Sequence, residues 1–263
     1  MTWPAKRNCL VPSPPETLCI FGDSHIGSVR RALDAGLVRL DGFEVEFWGA
    51  AGPLFRQIDI KQGVVRPIGK EAEEVVLRVN GKGRATLSPE DFGSYLFYGA
   101  RLRIAEFMLP YLHHLRDPQQ AASSAVMQAA ARQFLTSCRA VRIARSFAAS
   151  GRTRVFFAPA PLTTDGMSGQ GALKDYPRAV EAMAADRARI WHMFAQILAD
   201  DGITLIAQPD ETVVNGVFTH ADYAIEGAQA SGDAGHKSPE FARLMLQAFV
   251  AAARGDGCKK THD

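Results

Sequence analysis

The chain has 263 residues, 47% of them hydrophobic and 22% charged, which is the makeup of a folded globular protein. That composition excludes wholesale disorder and a collagen-like repeat, and the length is ample for a core that needs neither disulfides nor a structural metal. A formal charge of +2 gives no electrostatic warrant for a nucleic-acid partner, so none is expected.

The first periodic segment, Thr17 to Phe21, is a short apolar run that reads as a buried strand ended by Gly22-Asp23-Ser24. Ile26, Val29, Leu33 and Leu37 then recur at helical spacing, with Gly36 as the stop signal. Phe43 to Trp48 is a second strand, leading into Gly49 to Pro53. The stretch Arg56 to Asp91 breaks this rhythm. Val75 to Val79, the glycine-bearing Asn80 to Gly83, and Arg84 to Leu87 read there as an inserted β-hairpin.

Ser94 to Tyr98 is a third buried strand ending at Gly99, and Arg101 to Ser150 reads as mostly helical, interrupted near Asp117-Pro118. Within it, the alanine-rich Gln119 to Ala131 suits a helix. Thr153 to Phe157 is a fourth strand running into the stiff Ala158-Pro159-Ala160-Pro161 loop. A flexible stretch with Gly166, Gly169 and Gly171 follows, then a long helix from Tyr176 to Asp200 and a fifth strand, Ile203 to Ala207. After an irregular segment, Pro209 to Gly235, the helix Pro239 to Ala253 carries Phe241, Leu244, Met245, Ala248 and Phe249 on one face, ahead of a polar tail over 254–263. This alternation predicts one domain over 1–263, of the α/β class, with three layers (α/β/α) and a mostly parallel five-stranded sheet.

Ligands bind beyond the carboxyl ends of the strands in such sheets, which directs attention to Ser24, Gly52, Gly99, Arg101, Asp233 and His236. Ser24 stands at a strand-to-helix turn, where a hydroxyl serves either as a nucleophile beside the helix dipole or simply as an N-cap. Asp233 and His236 precede the last helix. They read either as a carboxylate-oriented imidazole or as polar loop residues before an N-cap at Ser238. His113-His114 and His220 with Asp222 match no compact ligand spacing, so no metal site is expected. Arg139, Arg142 and Arg145 read as a charged outer helix face, and Gly49-x-x-Gly52 is no dinucleotide fingerprint.

Cys9, Cys19, Cys138 and Cys258 lack any Cys-x-x-Cys spacing and read as reduced thiols. Met1 to Pro15 lacks the apolar core of a secretory signal, and no segment reaches the roughly 18 apolar residues of a membrane span. A cytoplasmic protein without a membrane partner is therefore expected.

Gly22-Asp23-Ser24 after the first strand, together with Asp233-x-x-His236 near the other end, resembles the SGNH (GDSL-type) hydrolase superfamily. The resemblance implies a flavodoxin-like three-layer esterase fold with Ser24 as nucleophile, His236 as general base and Asp233 as the orienting carboxylate. Val45 to Gly52 resembles the second block of that family, which implies that the Gly52 and Ser24 amides hold the oxyanion. The third block departs from the pattern, since Gly99-Ala100-Arg101 puts arginine where the family has an asparagine donor. Three possibilities follow for Arg101. It donates to the oxyanion, or it binds a carboxylate, sulfate or phosphate on the substrate, or it points away and Asn80 or Asn215 completes the hole.

His25 directly after the serine resembles the SGNH domains attached to polysaccharide acyltransferases, while its own position reads as a partly exposed residue of a helix's first turn. The expected activity is a serine esterase on a small-molecule or glycan acyl ester, an O-acetyl group on a carbohydrate foremost, with no cofactor. An O-acyltransferase and an SGNH-fold binding module are the alternatives. The rim segments Arg56 to Asp91 and Pro209 to Gly232 are the expected specificity elements.

Overall fold

The computed structural model describes residues 14–117, 122–167 and 170–255. Cys9, Cys258, the start of the alanine-rich segment at Gln119, Gly169 and the tail beyond Gly255 lie outside them. The elements in chain order begin with β1 (Glu16–Gly22), α1 (Ile26–Asp34) and β2 (Phe43–Gly49), then β3 (Ile58–Lys61), β4 (Val64–Pro67) and α2 (Lys70–Asn80). The middle holds β5 (Ser94–Arg103), α3 (Ala105–Arg116), α4 (Ser124–Ser137), α5 (Arg139–Ala148) and β6 (Arg154–Ala160). The last part comprises α6 (Gln170–Asp175), α7 (Ala184–Ala199), β7 (Ile203–Leu205), β8 (Val213–Val214), β9 (Phe218–Thr219), α8 (Ala228–Ser231) and α9 (Pro239–Gly255).

Five strands form one sheet in the order β2-β1-β5-β6-β7, every pair parallel. Helices cover both faces, and the strands are apolar on both sides for that reason. In β1, Cys19 and Phe21 face the core that contains Trp48, Phe97, Phe147 and Phe194, whereas Leu18 and Ile20 face α1 and α9 through Val29, Phe241 and Phe249. The period of two puts successive side chains of a single strand into different cores.

The carboxyl ends of β1, β2 and β5 draw together tightly. A Cβ on Gly22 would lie 2.2 Å from the Tyr98 carbonyl oxygen, and one on Gly49 would lie 1.8 Å from the Gly22 carbonyl oxygen. Only glycine fits at either position, so the segment carrying Ser24 leaves the sheet at a fixed point and angle.

The hairpin expected at Val75 to Leu87 is instead helix and turn. Ala72, Val76 and Asn80 are buried four residues apart on one face of α2, and Gly81 ends the helix in a left-handed conformation, φ 68°, donating to the Leu77 carbonyl. Helical spacing outweighed the β-branched run. A hairpin does occur within the same insertion, as β3 and β4 joined through Gln62-Gly63, both at positive φ as a tight two-residue turn requires. Leu87 then bridges to Val65 beside it.

The segment expected as helix from Arg101 continues β5 to Arg103, and the long helix expected from Tyr176 divides into a 3₁₀ helix, Pro177–Glu181, and α7. Helix α9 runs through Arg254 to Gly255, where the polar tail was expected to begin. Among the described residues no helix is long and apolar enough to cross a membrane.

Candidate active site

Ser24 sits in the turn between β1 and α1, yet it does not cap that helix: His25 occupies the N-cap position and no side chain closes it. The Ser24 hydroxyl oxygen lies 2.6 Å from Nε2 of His236 instead. The opposite ring nitrogen, Nδ1, is 2.7 Å from Oδ2 of Asp233. With the carboxyl ionised, Nδ1–H donates to Asp233, which leaves Nε2 as the acceptor for the Ser24 hydroxyl proton.

The loop that carries this pair is itself well anchored. Oδ1 of Asp233 accepts from the backbone amides of His236 at 3.0 Å and Gly235 at 3.1 Å. Burial alone would raise the Asp233 carboxyl, but those amides and the imidazole outweigh it and hold the group below its ordinary range. The Ala234 carbonyl accepts from the Thr164 amide and hydroxyl, which ties the loop to the chain just past β6. Lys237, 2% exposed, donates to the Ala234 and Gly235 carbonyls from beneath, and burial pulls its ammonium down to about 7 despite the nearby Asp233 charge. Ser238 does cap α9, accepting from the Phe241 amide at 3.4 Å.

On the other side of Ser24, Asp23 is only 5% exposed. Its Oδ1 accepts from the His25 amide at 3.2 Å and the His25 ring at 2.7 Å, and its Oδ2 accepts from the Arg101 amide at 3.2 Å. These bonds overcome the upward push of burial and lower the Asp23 carboxyl. His25 is partly exposed, as expected, but stands at the N-cap rather than in the first turn, and its ring is tied to Asp23. Its ring lies 5.0 Å from that of His236 and packs so closely on Gly99 that a Cβ there would sit 2.8 Å from the His25 Cβ. No spacing in the sequence marked the Asp23–His25 pair, because the contact depends on where β5 delivers Gly99.

Gly99, Ala100 and Arg101 are three consecutive left-handed residues, with φ of 69°, 44° and 60°. Two of them are not glycine, a conformation held here by surrounding bonds against its intrinsic cost. The turn brings Arg101 to Gly52, whose carbonyl accepts from the Arg101 Nη2 at 2.9 Å. Gly52 opens a 3₁₀ helix, Gly52–Gln57, and neither its amide nor that of Ser24 donates to another group among the described residues.

Asn80 and Asn215 are elsewhere. The Asn80 side chain is spent on Glu46, the Phe47 carbonyl and the amides of Lys82 and Arg84, and that of Asn215 donates to Asp165. Arg139 and Arg145 are likewise engaged, Arg139 with the Arg56 and Ile58 carbonyls and Arg145 with Asp201 and Thr136.

Ser24, His25, Gly52, Arg101 and His236 all border one cavity of about 630 Å³, walled by Leu109, Pro110, Pro161 and Tyr176. Its scale suits a small organic ligand held by apolar surface and oriented by a few polar groups. Among the described residues no group of three or more His, Cys, Asp or Glu side chains is placed to hold a metal ion.

No protein-family model and no curated protein matches the chain. Among solved structures, it is similar to the periplasmic domain of a lipopolysaccharide acetyltransferase of Salmonella ser. Paratyphi A, with 10% identity over 91% of this chain and 84% of that one and a TM-score of 0.38. It is also similar to an extracellular lipase of Streptomyces rimosus, with 12% identity over 89% of this chain and 99% of that one and a TM-score of 0.43.

Proposed function

We propose that the protein is a serine esterase of the SGNH kind that removes a small acyl group, an O-acetyl group on a carbohydrate foremost, through an acyl-enzyme on Ser24. The observation that carries this reading is the unbroken chain of hydrogen bonds from the Ser24 hydroxyl through His236 to Asp233, at 2.6 and 2.7 Å. Ser24 attacks the ester carbonyl as Nε2 of His236 takes its proton, and the ionised Asp233 steadies the imidazolium that results.

The tetrahedral oxyanion meets the amides of Ser24 and Gly52, which donate to no other group among the described residues, with the Arg101 guanidinium beside Gly52. A single donor of that kind contributes about 2.7–4 kcal/mol to the transition state. As the intermediate collapses, His236 returns the proton to the leaving alcohol. Water then repeats the sequence, giving up a proton to His236 and releasing the acid and the Ser24 hydroxyl.

A cavity of about 630 Å³ is far larger than an acetyl group needs, which favours a substrate with a sugar-sized remainder. The same room supports a second reading, in which another hydroxyl takes the place of water and the enzyme is an O-acyltransferase. The complete relay argues against a bare binding module. Hydrolysis of p-nitrophenyl acetate by the wild type should fall by about 10³-fold or more in Ser24→Ala. A fluorophosphonate probe should label Ser24, as read by mass spectrometry. Equal rates for the two proteins would overturn the proposal, and transfer to an added sugar outpacing hydrolysis would select the acyltransferase.

A further inference from the structure

Two arginines border the Ser24 cavity and further arginines border the cleft beside it. Arg101 and Arg103 border both that cavity and an adjoining cleft of about 330 Å³, and Arg56 borders the cleft. Asp23 and Glu106 also border the Ser24 cavity, and the Asp23 carboxylate is already engaged by the His25 ring and the Arg101 amide. Arg103 meets Glu106 at 3.5 Å with both side chains more than half exposed, a pairing worth little in water. Arg56 and Arg101 have no ion-pair partner among the described residues, and the Arg56 carbonyl is itself covered by the Arg139 guanidinium. The Nε of Arg101 is buried without any hydrogen-bond partner. Burial and the charges of Arg56 and Arg103 pull the Arg101 guanidinium below its ordinary pKa, against an opposing contribution from Asp23.

We infer that the Ser24 cavity takes an ester that also carries an anionic group, a carboxylate or a phosphate, held between Arg101 and Arg103 with Arg56 behind them. The inference rests on the esterase reading for the ester and on the arginines for the anion. A planar guanidinium matches the paired oxygens of either anion, and an anion placed there offsets the repulsion among the three arginines. Leu109, Pro110 and Tyr176 offer apolar wall for the carbon skeleton between the two polar ends.

Binding to the Ser24→Ala protein, measured by titration calorimetry, tests this without turnover. The probes are monoacetylglycerol 3-phosphate against monoacetylglycerol, and monomethyl succinate against dimethyl succinate. The charged member of at least one pair should bind about tenfold tighter or better, and the pair that shows the preference names the anion. Adding Arg56→Gln or Arg103→Gln, both exposed positions, should shrink that preference by about fivefold or more, and raised salt should shrink it further. Equal binding within both pairs, or a preference that survives both substitutions, overturns the inference. Wild-type hydrolysis of monoacetylglycerol, lost in Ser24→Ala, reports on the esterase reading separately, so either idea can fail while the other stands.

Discussion

An Asp23 carboxylate that accepts from the His25 amide, the His25 ring and the Arg101 amide joins the turn after β1 to the left-handed turn in β5. It touches neither Ser24 Oγ nor the cavity's apolar wall through those bonds, so its part is one of positioning. In Asp23→Asn the amide oxygen can still accept from His25, but the NH₂ group then faces the Arg101 N–H, donor against donor. The expected result is a loss of about 1–3 kcal/mol in urea unfolding and a fall in p-nitrophenyl acetate turnover, with fluorophosphonate labelling of Ser24 retained. A normal rate in a protein of normal stability would contradict this part for Asp23. Asp233→Asn should act differently, leaving the loop folded while turnover drops by about 10³–10⁴-fold, because a carboxamide cannot steady the imidazolium. Ser24, Asp233 and His236 stood out because Gly22-Asp23-Ser24 and Asp233-x-x-His236 together resemble a family pattern, whereas local pattern alone left each as readily a cap or a loop residue. The surroundings of His25 did not, since they are set by Gly99, which arrives from a strand more than seventy residues away.

Among the elements, α2 shows which local signals govern. Asn80 ends it with a buried side chain that donates to Glu46 and the Phe47 carbonyl and accepts from the Lys82 and Arg84 amides, fastening the helix to β2. Gly81 follows at φ 68° with open space around its Cβ position. Gly81→Ala should therefore lose only the left-handed preference, about 1 kcal/mol, whereas Asn80→Ala strands several buried partners and should lose about 2–4 kcal/mol. Chemical denaturation of the two variants checks the order, and a reversed order would mean that the polar corner does not hold α2 in place. Gly49→Ala belongs with the severe cases, at about 3 kcal/mol or more, since its Cβ would overlap the Gly22 carbonyl. Read in one dimension, Val75 to Val79 followed by glycines looks like strand and turn. The deciding facts, that Ala72 and Val76 share a buried face and that Asn80 answers Glu46, involve partners outside the window.

For the molecule as a whole, the alternation of strand and helix was readable because a parallel sheet buried on both faces makes each strand an unbroken apolar run. The strand order was not, because parallel neighbours such as β1 and β5 are paired across long stretches of chain by packing alone. A global property that does follow from single residues is the response of stability to pH. Burial holds Lys237 at about 7, well under the unfolded lysine value, so between those limits the unfolded chain binds a proton that the folded one has released. Stability should then rise with pH from 7 to 8, by about 1 kcal/mol, at a slope of at most about 1.4 kcal/mol per unit. The lowered carboxyls of Asp23, Glu46, Asp186 and Asp233 lose their contribution only in acid, so they leave this window flat. Above it the sign turns. Cys19, Cys138, Tyr95 and Tyr98 are raised by burial and stay protonated in the fold, while the unfolded chain releases the thiol protons from about pH 8 and the phenol protons near pH 10. Guanidinium unfolding midpoints at intervals from pH 7 to 8 should climb for the wild type and not for Lys237→Met. An identical climb in the variant would assign the proton to another group.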